Sequence, residues 1–595
     1  MIPYTAPVRD TLFVIDKVLG FESYRSIPAF EMLDAETLEA VVGEAGRFCS
    51  EVVAPLNPVS DAQGCTRHED GSVTTPTGFK EVYRQLVDAG WGTLAQPEEY
   101  GGQGMPHVLA SVFEEYLNSA CAGFTMYPGI MQGAVATVLS SASDEIKDTY
   151  LPQMVAGEWL ATMALTEAHA GTDLGLMRSR AEKQADGSYA VSGEKIFISG
   201  GEHDLTENII HLVLARVPDA PVGSRGISLF LVPKIFPETG EQNAVSCGSI
   251  EHKMGLNGSA TCVMNFDGAK GFLLGEENGG LAAMFIMMNA ARLGVGVQGL
   301  AHAENSYQKA AAYALDRKQG RATGERPDPS AAADSLIVHP DVRRLLMDAR
   351  SFAEGFRALV LWTALQIDLS HHAESEEERK AADAIVSFLT PVLKAFGTDR
   401  GFETAVNMQQ VYGGHGYVKE WGMEQIVRDA RIAMIYEGAN AVQALDLAGR
   451  KTARDGGAVA QTFLHMIAGE CDEAEEALGF IADPLGKAVH HGEAAAKALV
   501  ENAKANPEDM AGGAYAWMQL IGTLAIGWMW LRQAKAAQAA LDAGEGDPGF
   551  LQSKLALAQF YAEQQLPNCT ALRHRVKAGA GSMMAMAPEQ FLREA

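Results

Sequence analysis

The chain has 595 residues, 47% hydrophobic and 21% charged, a composition that excludes a disordered polypeptide and leaves room for about three to five domains of ~100–200 residues. Its 47 Lys and Arg against 75 Asp and Glu give a formal charge of −28, which disfavours nucleic acid or an anionic lipid surface as the main partner. Seven scattered cysteines form no C-x-x-C pair, which fits free thiols in a reducing, cytoplasmic compartment.

The first stretch, residues 1–19, interleaves Arg9, Asp10, Asp16 and Lys17 with apolar residues and lacks the layout of a secretory signal. From about Asp34 to Ala120 apolar residues recur at helix spacing, with Leu38, Val41, Val42, Ala45 and Cys49 as one stripe; the Gly- and Pro-rich loop 96–106 interrupts it. Between about Ala161 and Gly275 the texture becomes short β-branched and apolar runs, YAVSG, KIFISG, IIHLVLARV, ISLFLVP and ATCVMNF, which predict a β domain. Helical spacing returns over 281–316, 342–369 and 381–411, with 320–335 and the acidic stretch 371–380 as solvated linkers. Beyond about 455 an Ala-rich helical domain follows. Within it, 511–531 carries no charge over 21 residues, long enough to cross a bilayer. Four glycines, Gln519 and Thr523 dilute it and charged helix flanks it, so it reads as a buried helix and no membrane span is expected.

The fold class that follows is α+β and mainly helical. It comprises an N-terminal helical domain (1–160), a central β domain (161–275), a helical domain (276–454) and an extra C-terminal helical domain (455–595). Strand does not alternate with helix, which argues against a doubly wound parallel sheet.

Gly294-Val-Gly-Val-Gln-Gly299 matches G-x-G-x-x-G, but it continues a helical run and no βαβ unit surrounds it, so close helix packing is the better reading. The pairs His371-His372 and His490-His491 cannot share a helix face as i, i+4 ligands do, and no metal site is expected. A G-x-S-x-G elbow is absent.

Three polar, Gly-rich stretches remain. In LTEAHAGTD (165–173) the Thr166 and Thr172 hydroxyls suit a flat heterocycle and a phosphate. In GEKIFISGG (193–201) a strand of period two sends Phe197 and Ser199 to one face. In 409–440, GGHGY makes a bend that leads on to Tyr436-Glu437-Gly438.

These stretches, in this order, resemble the acyl-CoA dehydrogenase family of flavoenzymes over about residues 35–450. LTEAHAGTD is similar to the family's T-E-P-x-A-G-S-D, GEKIFISG to G-x-K-x-W-I-T-N, and YALDRKQGR to Y-A-x-x-R-x-Q-F-G. QVYGGHGY and RDARIAMIYEGAN are similar to Q-x-x-G-G-x-G-Y and R-D-x-x-x-x-x-I-Y-E-G-T-N. The resemblance implies a barrel-like middle domain, FAD as cofactor and dehydrogenation of an acyl-CoA thioester to a 2-enoyl-CoA. It implies that Leu165, Thr166, Phe197, Ile198 and Ser199 line the flavin, and that Thr172 reaches its pyrophosphate or the thioester ligand. Arg317, Gln410 and Gly414 would contact the FAD of a neighbouring subunit, making the protein a homo-oligomer, most simply a dimer. Arg292 would lie near CoA, and Glu437, flanked by Tyr436 and Gly438 at the substrate, would be the catalytic base.

Ala168, Phe197, Gly200, Gly320, Ala439 and Ala441 depart from the pattern, where proline, tryptophan, asparagine, phenylalanine and two polar residues are usual. A carboxylate can take the proton α to a thioester only if burial against substrate and cofactor makes it more basic than its ~4.3 in water. The apolar IAMIY before Glu437 fits that demand, and the Glu437 backbone N–H would, by resemblance, stabilise the thioester oxygen. Electron-transfer flavoprotein would be the acceptor. The long N-terminal lead and the C-terminal extension resemble the family's larger subgroup. Its nearest likeness acts on 3-(methylthio)propanoyl-CoA in dimethylsulfoniopropionate catabolism; medium- or long-chain fatty acyl-CoA is the alternative. A noncatalytic, flavin-bearing DNA-binding relative is the reading from another class. Residues 451–595 mix both charge signs with no basic run, which speaks against it.

Overall fold

A computed structural model describes residues 2–31 and 33–593, which divide into two units, each taken by itself. The first is made of Pro3–Ala6 and Gly43–Gly294, the second of Pro7–Val42 and the chain from Val295 onward.

In the first unit, the helices Phe79–Asp88, His107–Thr125, Met131–Ser141 and Asp144–Val155 precede a seven-stranded sheet. Its strands are β1 (Trp159–Ala164), β2 (Arg180–Lys183), β3 (Tyr189–Ser199), β4 (Asn208–Ala215), β5 (Ser228–Pro233), β6 (Val245–Ile250) and β7 (Thr261–Leu274). The order is β1-β4-β5-β7-β3-β2, with β6 on β7; only β1 and β4 run parallel. A bridge from Arg180 at the far edge to Arg216 just past β4 draws the sheet back on itself, so it is barrel-like. All eight residues of β4 are buried, the reason NIIHLVLA reads as an unbroken apolar run rather than an alternating one. Strands β2 and β6 escape the sequence pattern because RAEK and VSCGSI are largely exposed.

In the second unit, the helices Pro340–His372 and Glu376–Val411 pack on each other and on the C-terminal helix Pro507–Ala543, and Gly280–Asp316, from Val295 on, packs on Glu376–Val411. Linker 371–380 is shorter than its acidity suggests: one helix runs to His372 and the next starts at Glu376. Ser375 and Glu378 form a capping box, and three glutamates in the first turn complement the helix dipole, so the acidic run starts a helix.

The charge-free 511–531 stretch is a buried helix, as its glycines and flanks indicate. It lies within Pro507–Ala543, where Trp517, Trp528 and Trp530 are fully buried. A Cβ on Gly522 would sit 2.3 Å from the Phe396 ring, so glycine is what lets this helix seat against Glu376–Val411. Two other helices, Gly280–Asp316 and Glu376–Val411, are long and apolar enough to span a membrane by length and composition; half or more of each apolar window is buried.

The G-x-G-x-x-G run lies in mid-helix, as the close-packing reading requires. Cβ atoms on Gly296 and Gly299 would lie 2.9 Å from the Leu393 carbonyl oxygen and 2.4 Å from that of Gly397. Beneath the bundle, Arg357 donates to Asp10 and to Glu304 Oε2 (2.7 Å), and Lys554 donates to Asp10 and to Glu354 Oε2 (2.6 Å). This buried charge cluster joins the N-terminal lead to the last helices.

Candidate active site

Two of the three motif stretches are clasped together in the first unit. The chain leaves β1 at Ala164, and Glu167 and Ala170 exchange backbone hydrogen bonds to make a tight turn. The Thr166 carbonyl accepts from Ile196 N at 2.9 Å, and Lys195, fully buried, donates to the Leu165 carbonyl at 3.0 Å and to Glu167 Oε1 at 2.9 Å. Glu167 also accepts from Ser179 Oγ at 2.6 Å and from the backbone of Arg178 and Ser179. Burial opposes ionisation of Glu167, but Lys195 and these donors outweigh it and bring its pKa down to about 2; burial takes Lys195 down to about 8 against the pull of Glu167.

Phe197 does not sit in a regular strand, contrary to the period-two reading. The pairing of β3 with β7 slips between Lys195 and Ile198, and Phe197 adopts a left-handed φ of 61°. This bulge, rather than alternation, turns the Phe197 ring out, 59% exposed, while Ile198 returns to the core. Gly200 also has a left-handed φ, 62°, a conformation that asparagine tolerates better than most residues, so glycine for asparagine preserves the backbone here. The hydroxyls of Thr166, Thr172 and Ser199 bond to no other described residue. Leu165, Thr166 and Ser199 are half-buried, and Thr172 is exposed on the loop before Asp173.

Arg292, also in the first unit, is buried; its Nη1 lies 3.3 Å from Asn289 Oδ1 and its guanidinium 5.8 Å from the centre of the Phe285 ring. Nearby in sequence, Gly294 faces the carboxyl of Glu114. Glu114 stands at the wall of a cavity of about 100 Å³ lined by Trp91, Leu94, Phe113, Leu117 and Met131, and burial pushes its pKa up to about 7.

In the second unit, Glu437 lies on the loop between the 3₁₀ turn Ile432–Met434 and the helix Asn440–Ala448. It is half-buried and left-handed (φ 54°), followed by Gly438 at φ 82°. A non-glycine residue holds that conformation only where its surroundings impose it. Here the buried Lys394 donates to the Gly438 carbonyl at 2.9 Å and to Asn440 Oδ1 at 2.8 Å, and Gln443 Nε2 donates to the Glu437 carbonyl at 3.2 Å. The Tyr436 hydroxyl donates to Gln298 Oε1, fixing the loop to the Gly280–Asp316 helix.

Arg317, Gln410 and Gly414 come together at one end of this unit. Arg317 follows the helix that carries Tyr313, Gln410 lies in the last turn of Glu376–Val411, and Gly414 comes just past Tyr412; the Tyr313 and Tyr412 rings stack with centres 4.0 Å apart. All three are exposed, and neither the Arg317 nor the Gln410 side chain pairs with another described residue.

The residues that hold these loops, Glu167, Lys195, Lys394, Asn440 and Gln298, are absent from a motif-based list. Lys195 and Lys394 had a signal, since each is a lone lysine at an inward position of an apolar run, where a cation survives only with a partner. Ala439 and Ala441 lose side-chain polarity, and Asn440 between them supplies the loop's hydrogen bonds. Among the described residues no group of three or more His, Cys, Asp or Glu could hold a metal ion.

Four family models match in chain order. They are the acyl-CoA dehydrogenase N-terminal domain (35–158), middle domain (162–269) and C-terminal domain (278–452), and an acetyl-CoA dehydrogenase C-terminal-like domain (463–587). A 3-methylmercaptopropionyl-CoA dehydrogenase of Ruegeria pomeroyi is 44% identical over 98% of this chain and 99% of its own length. A broad-specificity linear acyl-CoA dehydrogenase of Mycobacterium tuberculosis is 34% identical over 99% of this chain and 100% of its own. Among solved structures, Caenorhabditis elegans ACDH-11 in complex with C11-CoA matches with TM-score 0.76 at 18% identity, covering 95% of this chain and 92% of that one. An acyl-CoA dehydrogenase complexed with FAD from Bacillus anthracis matches with TM-score 0.73 at 21% identity, covering 92% and 89%. These two show the fold.

Proposed function

The chain belongs to the acyl-CoA dehydrogenase family, and from that premise we propose that it converts 3-(methylthio)propanoyl-CoA to 3-(methylthio)acryloyl-CoA in dimethylsulfoniopropionate catabolism, with Glu437 as the base. It is an FAD-dependent oxidoreductase acting on a CH–CH bond, as the family's members are. The observation that carries the substrate is the 44% identity to the Ruegeria pomeroyi enzyme along the whole chain, N-terminal lead and C-terminal helices included.

The donor set suits FAD. Unbonded hydroxyls on Thr166 and Ser199, the outward Phe197 ring and the main chain of Leu165 and Ile198 offer hydrogen bonds and an apolar face to a flat heterocycle. Thr172 offers a hydroxyl to phosphate or thioester. The unpaired Arg317, with Gln410 and Gly414, would serve the cofactor of a neighbouring copy in a homodimer. Bound FAD supplies the hydride acceptor. Glu437 takes the proton α to the thioester, and its main-chain N–H stabilises the charge that develops on the thioester oxygen. Tyr436 and Gly438 flank the reacting carbons, and Arg292 serves the CoA portion. Reoxidation by electron-transfer flavoprotein, a cytoplasmic location and domain divisions near 160, 275 and 454 complete the reading.

The test is anaerobic flavin bleaching with butanoyl-, 3-(methylthio)propanoyl-, octanoyl- and palmitoyl-CoA. Fastest bleaching by the methylthio thioester is the expected result. Equal or faster bleaching by the longer chains would favour the broad specificity named for the Mycobacterium tuberculosis relative. No bleaching by any, with salt-sensitive DNA binding, would favour the noncatalytic reading.

A further inference from the structure

The C-terminal helices reach the base loop through an unbroken set of side-chain contacts, all within the second unit. Asn440, three residues past Glu437, donates through Nδ2 to the Ala395 carbonyl (3.0 Å), to Thr398 Oγ1 (2.9 Å) and to Asp399 Oδ1 (2.7 Å). Its Oδ1 accepts from Lys394, the same ammonium that holds the Gly438 carbonyl. The other oxygen of Asp399 points away from the loop. There it accepts from the Tyr515 hydroxyl and from Gln519 Nε2 at 2.8 Å, both on the helix Pro507–Ala543. Tyr515 and Gln519 lie one helical turn apart on a single face, so both reach one carboxylate oxygen.

We propose that the C-terminal helical domain positions the catalytic base. Tyr515 and Gln519 hold Asp399, Asp399 orients the Asn440 amide, and Asn440 with Lys394 fixes the Gly438 carbonyl and so the left-handed Glu437.

Three features make this more than a contact between two packed helices. Glu437 stands in a strained left-handed conformation, which its surroundings must impose. The Asn440 amide has only one orientation that serves Lys394 with its oxygen and Asp399 with its nitrogen; turned over, it would set NH₂ against the ammonium. Burial raises the Asp399 carboxyl above its ordinary pKa, and the Tyr515, Asn440 and Gln519 donors together with the charge of Lys394 counter it. Without Tyr515 and Gln519 the carboxyl loses the two groups that anchor its far oxygen and is free to turn, so its near oxygen no longer stays fixed against the Asn440 amide. Tyr515, Gln519 and Asp399 act through other groups and are positioning residues.

The inference rests on Glu437 being the base, so Glu437→Gln is measured beside Tyr515→Phe, Gln519→Met and the double variant, each as FAD-loaded full-length protein. Anaerobic stopped-flow flavin reduction with the four acyl-CoAs, kcat and KM, flavin content and melting temperature are the readouts. The expected result is that Glu437→Gln nearly abolishes reduction. The double variant should lower the reduction rate and kcat by about 10- to 10²-fold, the scale of a misplaced catalytic group, with KM and flavin content unchanged. Tyr515→Phe should give part of that loss; it removes one hydroxyl from a side chain 43% exposed and folds even if the double variant does not. A lowered melting temperature with wild-type reduction rates in Tyr515→Phe and Gln519→Met would overturn the positioning role and leave the base in place. Near-normal turnover in Glu437→Gln would overturn the base, and the positioning role with it.

Discussion

Lys195 Nζ stands 2.9 Å from Glu167 Oε1, and this pair is the charged tie between the turn after β1 and the bulged strand β3. Because both side chains are buried, removing the lysine leaves a carboxylate without its charge partner. Lys195→Met is expected to destabilise the first unit by about 3–5 kcal/mol in chemical denaturation, the scale of a broken buried pair, and to weaken FAD retention. For the intact pair, Glu167 is held near 2, below its ordinary 4.5. Its contribution is therefore complete above pH 4.5 and lost as pH falls toward 2.

The Asp10 cluster makes the N-terminal lead part of the helical unit. Burial works against an ionised Asp10, but Lys554 and Arg357 prevail and lower its pKa. Asp10→Asn should cost about 3–5 kcal/mol at pH 7. Since a depressed carboxyl gives up its stabilisation as pH falls through its folded-state pKa, the gap between variant and wild type should narrow in acid. Arg9 pairs with Asp547 in the open, so Arg9→Ala should stay within about 1 kcal/mol of wild type; thermal unfolding at several pH values checks both.

Glu114 gives a pH dependence to folding. With its pKa pushed up from the ordinary 4.5 to about 7 by burial, the carboxyl resists ionisation in the folded state. Stability in thermal unfolding should therefore fall as pH rises from 4.5 to 7 and level off above it. In Glu114→Gln that fall should vanish.

Much of this molecule was legible in the sequence. The unbroken apolar run of β4, the glycines facing backbone at Gly296 and Gly299, and the charge-free helix around Trp517, Trp528 and Trp530 each carried a local signal that tertiary structure obeys. The motif stretches from which the site is proposed fall on the clasped turn after β1 and on the left-handed loop at Glu437. What escaped was of two kinds. The bulge at Phe197 is a one-residue slip set by the pairing of β3 with β7, and no period within GEKIFISGG encodes it. The partners of buried charges lie far off in the chain: Asp10 and Lys554 are 544 residues apart, and Asp399 meets Tyr515 across 116. A lone polar residue in an apolar run announces that a partner exists without saying which.

The most direct test of the account is the rate of anaerobic flavin reduction by 3-(methylthio)propanoyl-CoA in Glu437→Gln against wild type, at matched FAD content. The glutamine keeps the side chain's shape and loses its basicity, so reduction should slow by ~10²-fold or more, the scale of a lost general base, while the flavin stays bound. Reduction at close to the wild-type rate would contradict the assignment of Glu437 as the base.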